Sequence, residues 1–456
     1  MQSPTVRAAR RFLIWYAATF VGLFGLLGIL LVARGAPLSI VARVFKQAFG
    51  ELAGHWLFWL ILLVPYLVFL WLRAVLHGYR RGGVRGLARS LALRVALPIM
   101  LVVGVYKTGR WYAASESFEY VQDDSVHNTT GRSLDRYSQD GKHRGVHLFG
   151  GAMTETQLAP LLESNVEWIA HVPFGWQDSY DDPDVRFTSI EGIEWSAKDQ
   201  HHIDHIELAR AHGIRNIVKP HLWLTSGRKW RSDIAMSSLD HWDQWFDGYR
   251  SFILHYARLC EQYDVDALCI GTELHETVRQ RPQDWSRLIA EVRSVYSGAI
   301  TYAANWNDPL EEIPFWAELD YIGVQAYFPL TSHRHPTVDE LVRDWTDHVD
   351  RLEALAGQFN KPILFTELGY KSVPDAAIQP WQWPRWPGSL FRKVSMETQY
   401  NCYEAFFRVL WTRDWFAGAY IWQWQTRHDQ AGGPSNPAFT PQNKPAQNCM
   451  ARWFGQ

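Results

Sequence analysis

Two glutamates stand where a carboxylate is costly. Glu367 ends the apolar run of KPILFTELGY (Lys361–Tyr370), and Glu273 ends that of VDALCIGTEL (Val265–Leu274). An ionised side chain at the end of a buried strand is expensive unless it is paired or at work. Two such groups facing each other across a cleft can hydrolyse a glycosidic bond. At about 5–5.5 Å, one attacks the anomeric carbon while the other protonates the leaving oxygen; at about 6.5–9.5 Å a water intervenes and configuration inverts.

Other apolar runs end in groups suited to the same work. They supply His171 and Trp176, then Lys219, His221 and Trp223, then Thr272 beside Glu273. Further on come Asn305 and Trp306, Gln325 and Tyr327, and finally Trp422, Gln423, Trp424 and Gln425. Amides, imidazoles and hydroxyls match sugar hydroxyls, and indoles pack on the C–H face of a pyranose. A phenol at Tyr327 beside an ionised glutamate can hold the charged form by hydrogen bonding. Prolines in IQPWQWPRWP (Ile378–Pro387) break helix and strand, which places Trp381, Trp383 and Trp386 in a loop over the same rim. His171, His221 and His275 could serve a metal-dependent hydrolase, yet they lack a tight ligand spacing. No metal and no cofactor is expected.

The elements that must position these residues alternate. Eight short apolar runs, from Gly145–Gly150 to Ala417–Gln425, are separated by amphipathic stretches such as Lys198–His212, Leu239–Tyr263 and Val394–Thr412. Strand and helix in repeated alternation predict a (β/α)8 TIM barrel over 144–456, whose chemistry lies at the C-terminal ends of its strands. The rival, a doubly wound open sheet, usually carries a Gly-rich phosphate turn after its first strand, and Gly150-Gly151 does not make one. The formal net charge of −2 argues against nucleic acid as a partner. The four cysteines have no metal-ligand spacing and form no disulfide framework.

The N-terminal region, 1–110, differs in composition. Phe12–Ala33 and Trp56–Leu72 are apolar, and the first has the ~20 residues that cross a bilayer. Leu91–Tyr106 is a weaker third candidate, interrupted by Arg94. Arg7, Arg10 and Arg11 before the first run, and Arg73 to Arg94 after the second, belong on the cytoplasmic side. These patterns predict N-terminal transmembrane helices, a multi-pass protein of a membrane such as the bacterial inner membrane, and an extracytoplasmic barrel if the third run spans. The polar segment 111–143 reads as a linker.

PILFTELGYKS with AAIQPW, and CIGTELHE, together resemble glycoside hydrolase family 113, a β-mannanase-type family of clan A. The resemblance covers Gly145 to Trp424 and leaves out the membrane region. It implies a retaining (β/α)8 enzyme with Glu273 as acid/base on the fourth strand and Glu367 as nucleophile on the seventh. It also implies that Tyr327 supports the nucleophile and that Trp422 lies under the catalytic sugar. One departure bears on substrate: Thr272 stands where many clan members have asparagine. The expected partners are a β-linked, mannan-like polysaccharide, the lipid bilayer and proteins of polysaccharide synthesis or export. The alternative is a non-catalytic carbohydrate-binding subunit of such a system, although a pure binder has no need of two costly carboxylates.

Overall fold

The computed structural model describes Ile14 and residues 64–113, 118–188, 195–227, 229–383 and 392–456. The chain divides into two compact units, Met1–Thr108 and Gly109–Gln456.

Among the described residues of the second unit, ten strands form. They are β1 (His143–Phe149), β2 (Trp168–His171), β3 (Phe174–Gln177), β4 (Arg215–Val218), β5 (His221–Leu224), β6 (Ala267–Thr272), β7 (Ala299–Asn305), β8 (Tyr321–Gln325), β9 (Ile363–Leu368) and β10 (Phe416–Gln425). Eight of them close a parallel barrel in the order β1-β10-β9-β8-β7-β6-β4-β2. All eight apolar runs read from the sequence are therefore barrel strands, and β6 and β9 are the fourth and seventh. The second and third runs are each split by a proline, Pro173 and Pro220, which has no N–H to donate. Beyond the split, β3 and β5 continue as a parallel pair above the barrel, with Trp176 opposite Trp223.

Helices cover the outside because their apolar positions recur at helical spacing. Leu239–Gln262, capped by Ser238, buries Trp242, Trp245, Phe246, Tyr249, Phe252, Ile253 and Tyr256 against the sheet. Ser196 and Thr337 begin their helices with capping boxes. Trp168, Trp245, Trp285, Trp316, Trp345 and Trp424 are fully buried, so many of the 24 tryptophans are structural.

Inside the barrel lies a second, smaller core of Trp168, Ala170, Ile217, Ala267, Cys269, Ala303, Leu364 and Tyr420. At its floor His143 stacks on Trp168 with centroids 3.8 Å apart, and its Nδ1 meets the Tyr420 hydroxyl at 2.7 Å. Gly145 admits the Tyr420 ring, because a Cβ there would stand 2.3 Å from it. Residues 118–142, within the segment read as a linker, lie against this unit. Glu167 accepts the backbone N–H groups of Arg136 and Tyr137 at 2.7 and 2.9 Å, which seats Tyr137 against the inner core.

In the first unit, the helix Val64–Leu91 is kinked at Gly82 and Gly83, the latter at φ 56°. A π-helical turn at Ala92–Ala96 follows, then the helix Leu97–Ala113. Among the described residues no helix is long and apolar enough to cross a membrane. The expectation of a third span, Leu91–Tyr106, is corrected accordingly: Arg94 interrupts it, and the uninterrupted apolar part is short. The first expected span, apart from Ile14, and most of the second lie outside the described residues.

Candidate active site

Glu367 sits near the end of β9, directly beside Gln325 of β8 in the ladder. Its two oxygens are held differently. Oε1 accepts from Lys219 Nζ at 2.6 Å, and Oε2 accepts from the Tyr327 hydroxyl at 2.9 Å. Lys219 itself is fixed by Gln325 Oε1 at 2.8 Å and the Thr366 carbonyl at 3.2 Å. The imidazoles of His221 and His147 stand 3.7 and 3.9 Å from Oε1. Burial pushes the Glu367 carboxyl up, but the Lys219 ammonium reverses this and holds it at about 2. Glu367 is thus ionised throughout the neutral range. Burial pushes the Tyr327 phenol well up, helped by the Glu367 charge, so it stays a donor.

Glu273 follows β6, whose register shifts between Cys269 and Thr272. Its φ of 56° lies in the left-handed region, a strained conformation for a side chain with a Cβ. The Glu273 N–H donates to the Ala303 carbonyl at 2.8 Å, which secures the turn. Its Oε2 accepts from the Trp230 indole at 2.6 Å and lies 3.7 Å from Arg231 Nε. Here burial dominates. It raises the carboxyl, the Glu367 charge adds to the rise, and Arg231 and Trp230 only partly oppose it. Two carboxylates pushed in opposite directions by their surroundings are suited to divide the work of a nucleophile and an acid.

Buried polar atoms rarely stay unpaired. Among the described residues, His147 Nδ1 and Nε2, His221 Nε2, Thr272 Oγ1 and Arg231 Nη1 are buried without hydrogen-bond partners. All belong to the carboxylates' surroundings, and sugar hydroxyls would satisfy such groups. Burial lowers the His147 imidazole to about 3 and pushes His221 well below its ordinary value, so both are neutral.

Aromatic side chains form walls above this floor. Trp422 packs edge-on to Phe149 and lies 5.1 Å from His147. Trp383 is exposed and approaches Trp422 and Phe439, at 6.4 and 5.0 Å. Trp381 stacks on Trp306 at 5.1 Å, next to Asn305 at the end of β7. On the other side Trp223, about half exposed, meets Trp230 at 6.2 Å.

Two expected site residues, His171 and Trp424, are placed otherwise. His171 is buried and bonds Asn216 Oδ1 at 2.7 Å, with His202 and His205 of the helix Ala197–Ala211 as neighbours. Its strand neighbours Trp168 and Ala170 face the barrel interior, so alternation turns His171 outward. Trp424 is likewise fully buried in the outer core, beside His428. Trp176 lies under the Lys198 ammonium, 4.3 Å from its ring. His275 approaches Asp308 at 3.4 Å, so the three histidines of the metal reading do not converge. Among the described residues no cluster of His, Cys, Asp and Glu could hold a metal ion.

Three residues around the carboxylates escaped the sequence reading. His147 lies mid-strand on β1, where alternation with His143 and Gly145 could have flagged an inward position. Trp230 and Arg231 belong to a 3₁₀ turn after β5 that has no periodic pattern.

The family model of Glycoside Hydrolase Family 113 matches residues 142–444, and the chain belongs to this family. A solved GH113 β-1,4-mannanase is 25% identical, with a TM-score of 0.58, covering 69% of this chain and 98% of its own. The GH113 β-mannanase AaManA from Alicyclobacillus acidocaldarius, solved with ManMIm, is 26% identical, with a TM-score of 0.58 and coverages of 69% and 97%. No curated protein matches the sequence. The chain is a glycoside hydrolase.

Proposed function

We propose that this family 113 hydrolase cleaves a β-linked, mannan-like glycan with retention of configuration, by double displacement. Glu367 attacks the anomeric carbon while Glu273 protonates the leaving oxygen. Glu273, now a carboxylate, then draws a proton from the water that releases the sugar. The observation that carries this reading is the contrast between the carboxyls: Lys219 holds Glu367 at about 2, whereas burial raises Glu273. Tyr327 keeps Oε2 of the nucleophile oriented, at 2.9 Å. The similar β-mannanases support a manno-configured substrate. The test is product analysis by NMR on β-1,4-mannan, glucan and xylan oligosaccharides. First-formed β-anomers from the mannan series support the reading, and α-anomers or turnover unaffected by Glu367→Gln would sink it.

The proposal extends to a membrane-anchored enzyme. Phe12–Ala33 has the length and composition of a span, and arginines precede it. In the helix Leu97–Ala113, the apolar side chains of Ile99, Met100, Leu101, Val102, Val103 and Val105 are all exposed. A run of exposed apolar side chains suits an apolar surrounding such as the bilayer interface. Sedimentation of a cell lysate should carry the enzyme into the membrane fraction. Release by alkaline carbonate would overturn the anchoring.

A further inference from the structure

Arg231 is the charged group at the site that the hydrolytic scheme leaves without a task. Its side chain is 5% exposed, and its guanidinium rests on the Trp230 ring, 4.6 Å from the centroid. The Glu273 carboxylate, at 3.7 Å, is its recorded ion pair. Nη1 is buried with no acceptor among the described residues. A buried cation without a full set of partners is costly.

Tuning of Glu273 does not explain it. A cation beside a catalytic acid lowers that acid's hold on its proton, which opposes the acid's role. The charge count points elsewhere. Among the described residues, Lys219, Arg231, His147 and His221 stand within 4 Å of the two carboxylates. Lys219 and Glu367 cancel, and both imidazoles are neutral. Once Glu273 carries the proton it must deliver, Arg231 leaves the site with one unmatched positive charge. A neutral sugar can accept a hydrogen bond from the guanidinium but brings no charge to match it, whereas a planar carboxylate does both in a bidentate fork.

Resting on the hydrolase reading above, we propose that Arg231 recognises a carboxylate on the sugar at the cleavage point, so that the substrate is a β-linked glycan containing uronic acid. The guanidinium moves from Glu273 to the substrate as Glu273 is protonated. Arg231 is thereby a specificity residue, and neutral mannan is the poorer substrate.

The experiment uses the full chain in detergent and two matched probes: β-1,4-mannotetraose, and the same tetramer oxidised at C6 to carboxylates. Turnover is measured on the native chain. Binding is measured by calorimetry on Glu273→Gln, an uncharged mimic of the protonated acid, with and without Arg231→Gln. The acidic tetramer is expected to bind more tightly and to show the higher kcat/KM. Arg231→Gln should cut the acidic-to-neutral ratio by about tenfold to a hundredfold, the range of a charged hydrogen bond. Arg231→Lys should restore part of it. Because a ratio is read, a general loss of activity cancels. Equal binding of the two tetramers, or an equal loss for both in Arg231→Gln, would overturn the proposal. Turnover of neither tetramer by a chain that still binds the acidic one more tightly would instead overturn the hydrolase reading.

Discussion

Around Glu367, the contacting groups stand on strands, of the barrel or of the pair above it, or directly beyond them. His147 lies on β1, Lys219 just after β4, His221 on β5 and Tyr327 two residues past β8. Around Glu273, the contacts come from the turn after β5, through Trp230 and Arg231. The first carboxylate is built into the sheet, and the second is reached from a loop. A nucleophile needs a fixed charge, which ladder-bound donors provide without reorganisation. An acid must exchange its proton and its partner in each cycle, so groups outside the ladder suit it. Equal burial of the two glutamates is therefore accompanied by opposite shifts of their carboxyls.

The largest expected effects break the pair itself. Glu367→Gln removes the covalent nucleophile and should lower kcat at least about 10⁴-fold. Glu273→Gln should cost about 10²–10⁴-fold on oligosaccharides, and much less in the glycosylation step with an aryl glycoside whose leaving group needs no proton. Similar losses on both substrates would show that Glu273 is not the acid.

Next in size is Lys219→Met. It leaves a buried carboxylate without its partner, a change that costs about 3–5 kcal/mol. The acidic limb of the pH–rate profile should then move to higher pH, because Lys219 holds the Glu367 carboxyl down. The linkage has a definite sign. Glu367 is lowered from its ordinary 4.5 to about 2, so its contribution to stability is present above pH 4.5 and is lost as pH falls towards 2. Denaturant titrations should show this acid dependence in the native chain and little of it in Lys219→Met.

Trp230→Phe tests the loop side. It removes a donor that favours the charged form of Glu273, so the Glu273 carboxyl rises further and the basic limb moves to higher pH. The acidic limb should stay in place, since Trp230 has no recorded contact with Glu367. A shift of both limbs would mean that the two surroundings are not independent.

The smallest effect separates two neighbours on β10. Trp424→Phe should lower the melting temperature by a few degrees and leave KM unchanged, as expected of a core indole. Trp422→Phe should raise KM with little change in melting.

The misplaced residues show where one-dimensional reading stops. His171 and Trp424 were found at the right strand ends, but facing the mouth is a matter of parity, and one residue of offset reverses it. Alternation along WIAH was available: Trp168 and Ala170 inward leave His171 outward. The splitting prolines, Pro173 and Pro220, hid where each strand stopped. Trp230 and Arg231 could not be found by periodicity, because a turn that packs on a distant strand leaves no local repeat. Glu273, Glu367, Lys219 and Tyr327 were legible because polar groups that end apolar runs are conspicuous against the cost of burying them.

By itself, the sequence determined the alternation of strand and helix, hence a barrel, and the ends of its fourth and seventh strands as the place for two carboxylates. Those properties follow from burial and spacing along the chain. Only the tertiary structure decided which carboxyl is held low and which is raised. That depends on charges brought from elsewhere: Lys219 lies 148 residues from Glu367 in the chain, and Trp230 lies 43 from Glu273. Electrostatic interaction acts through space, so chain order carries almost no record of it.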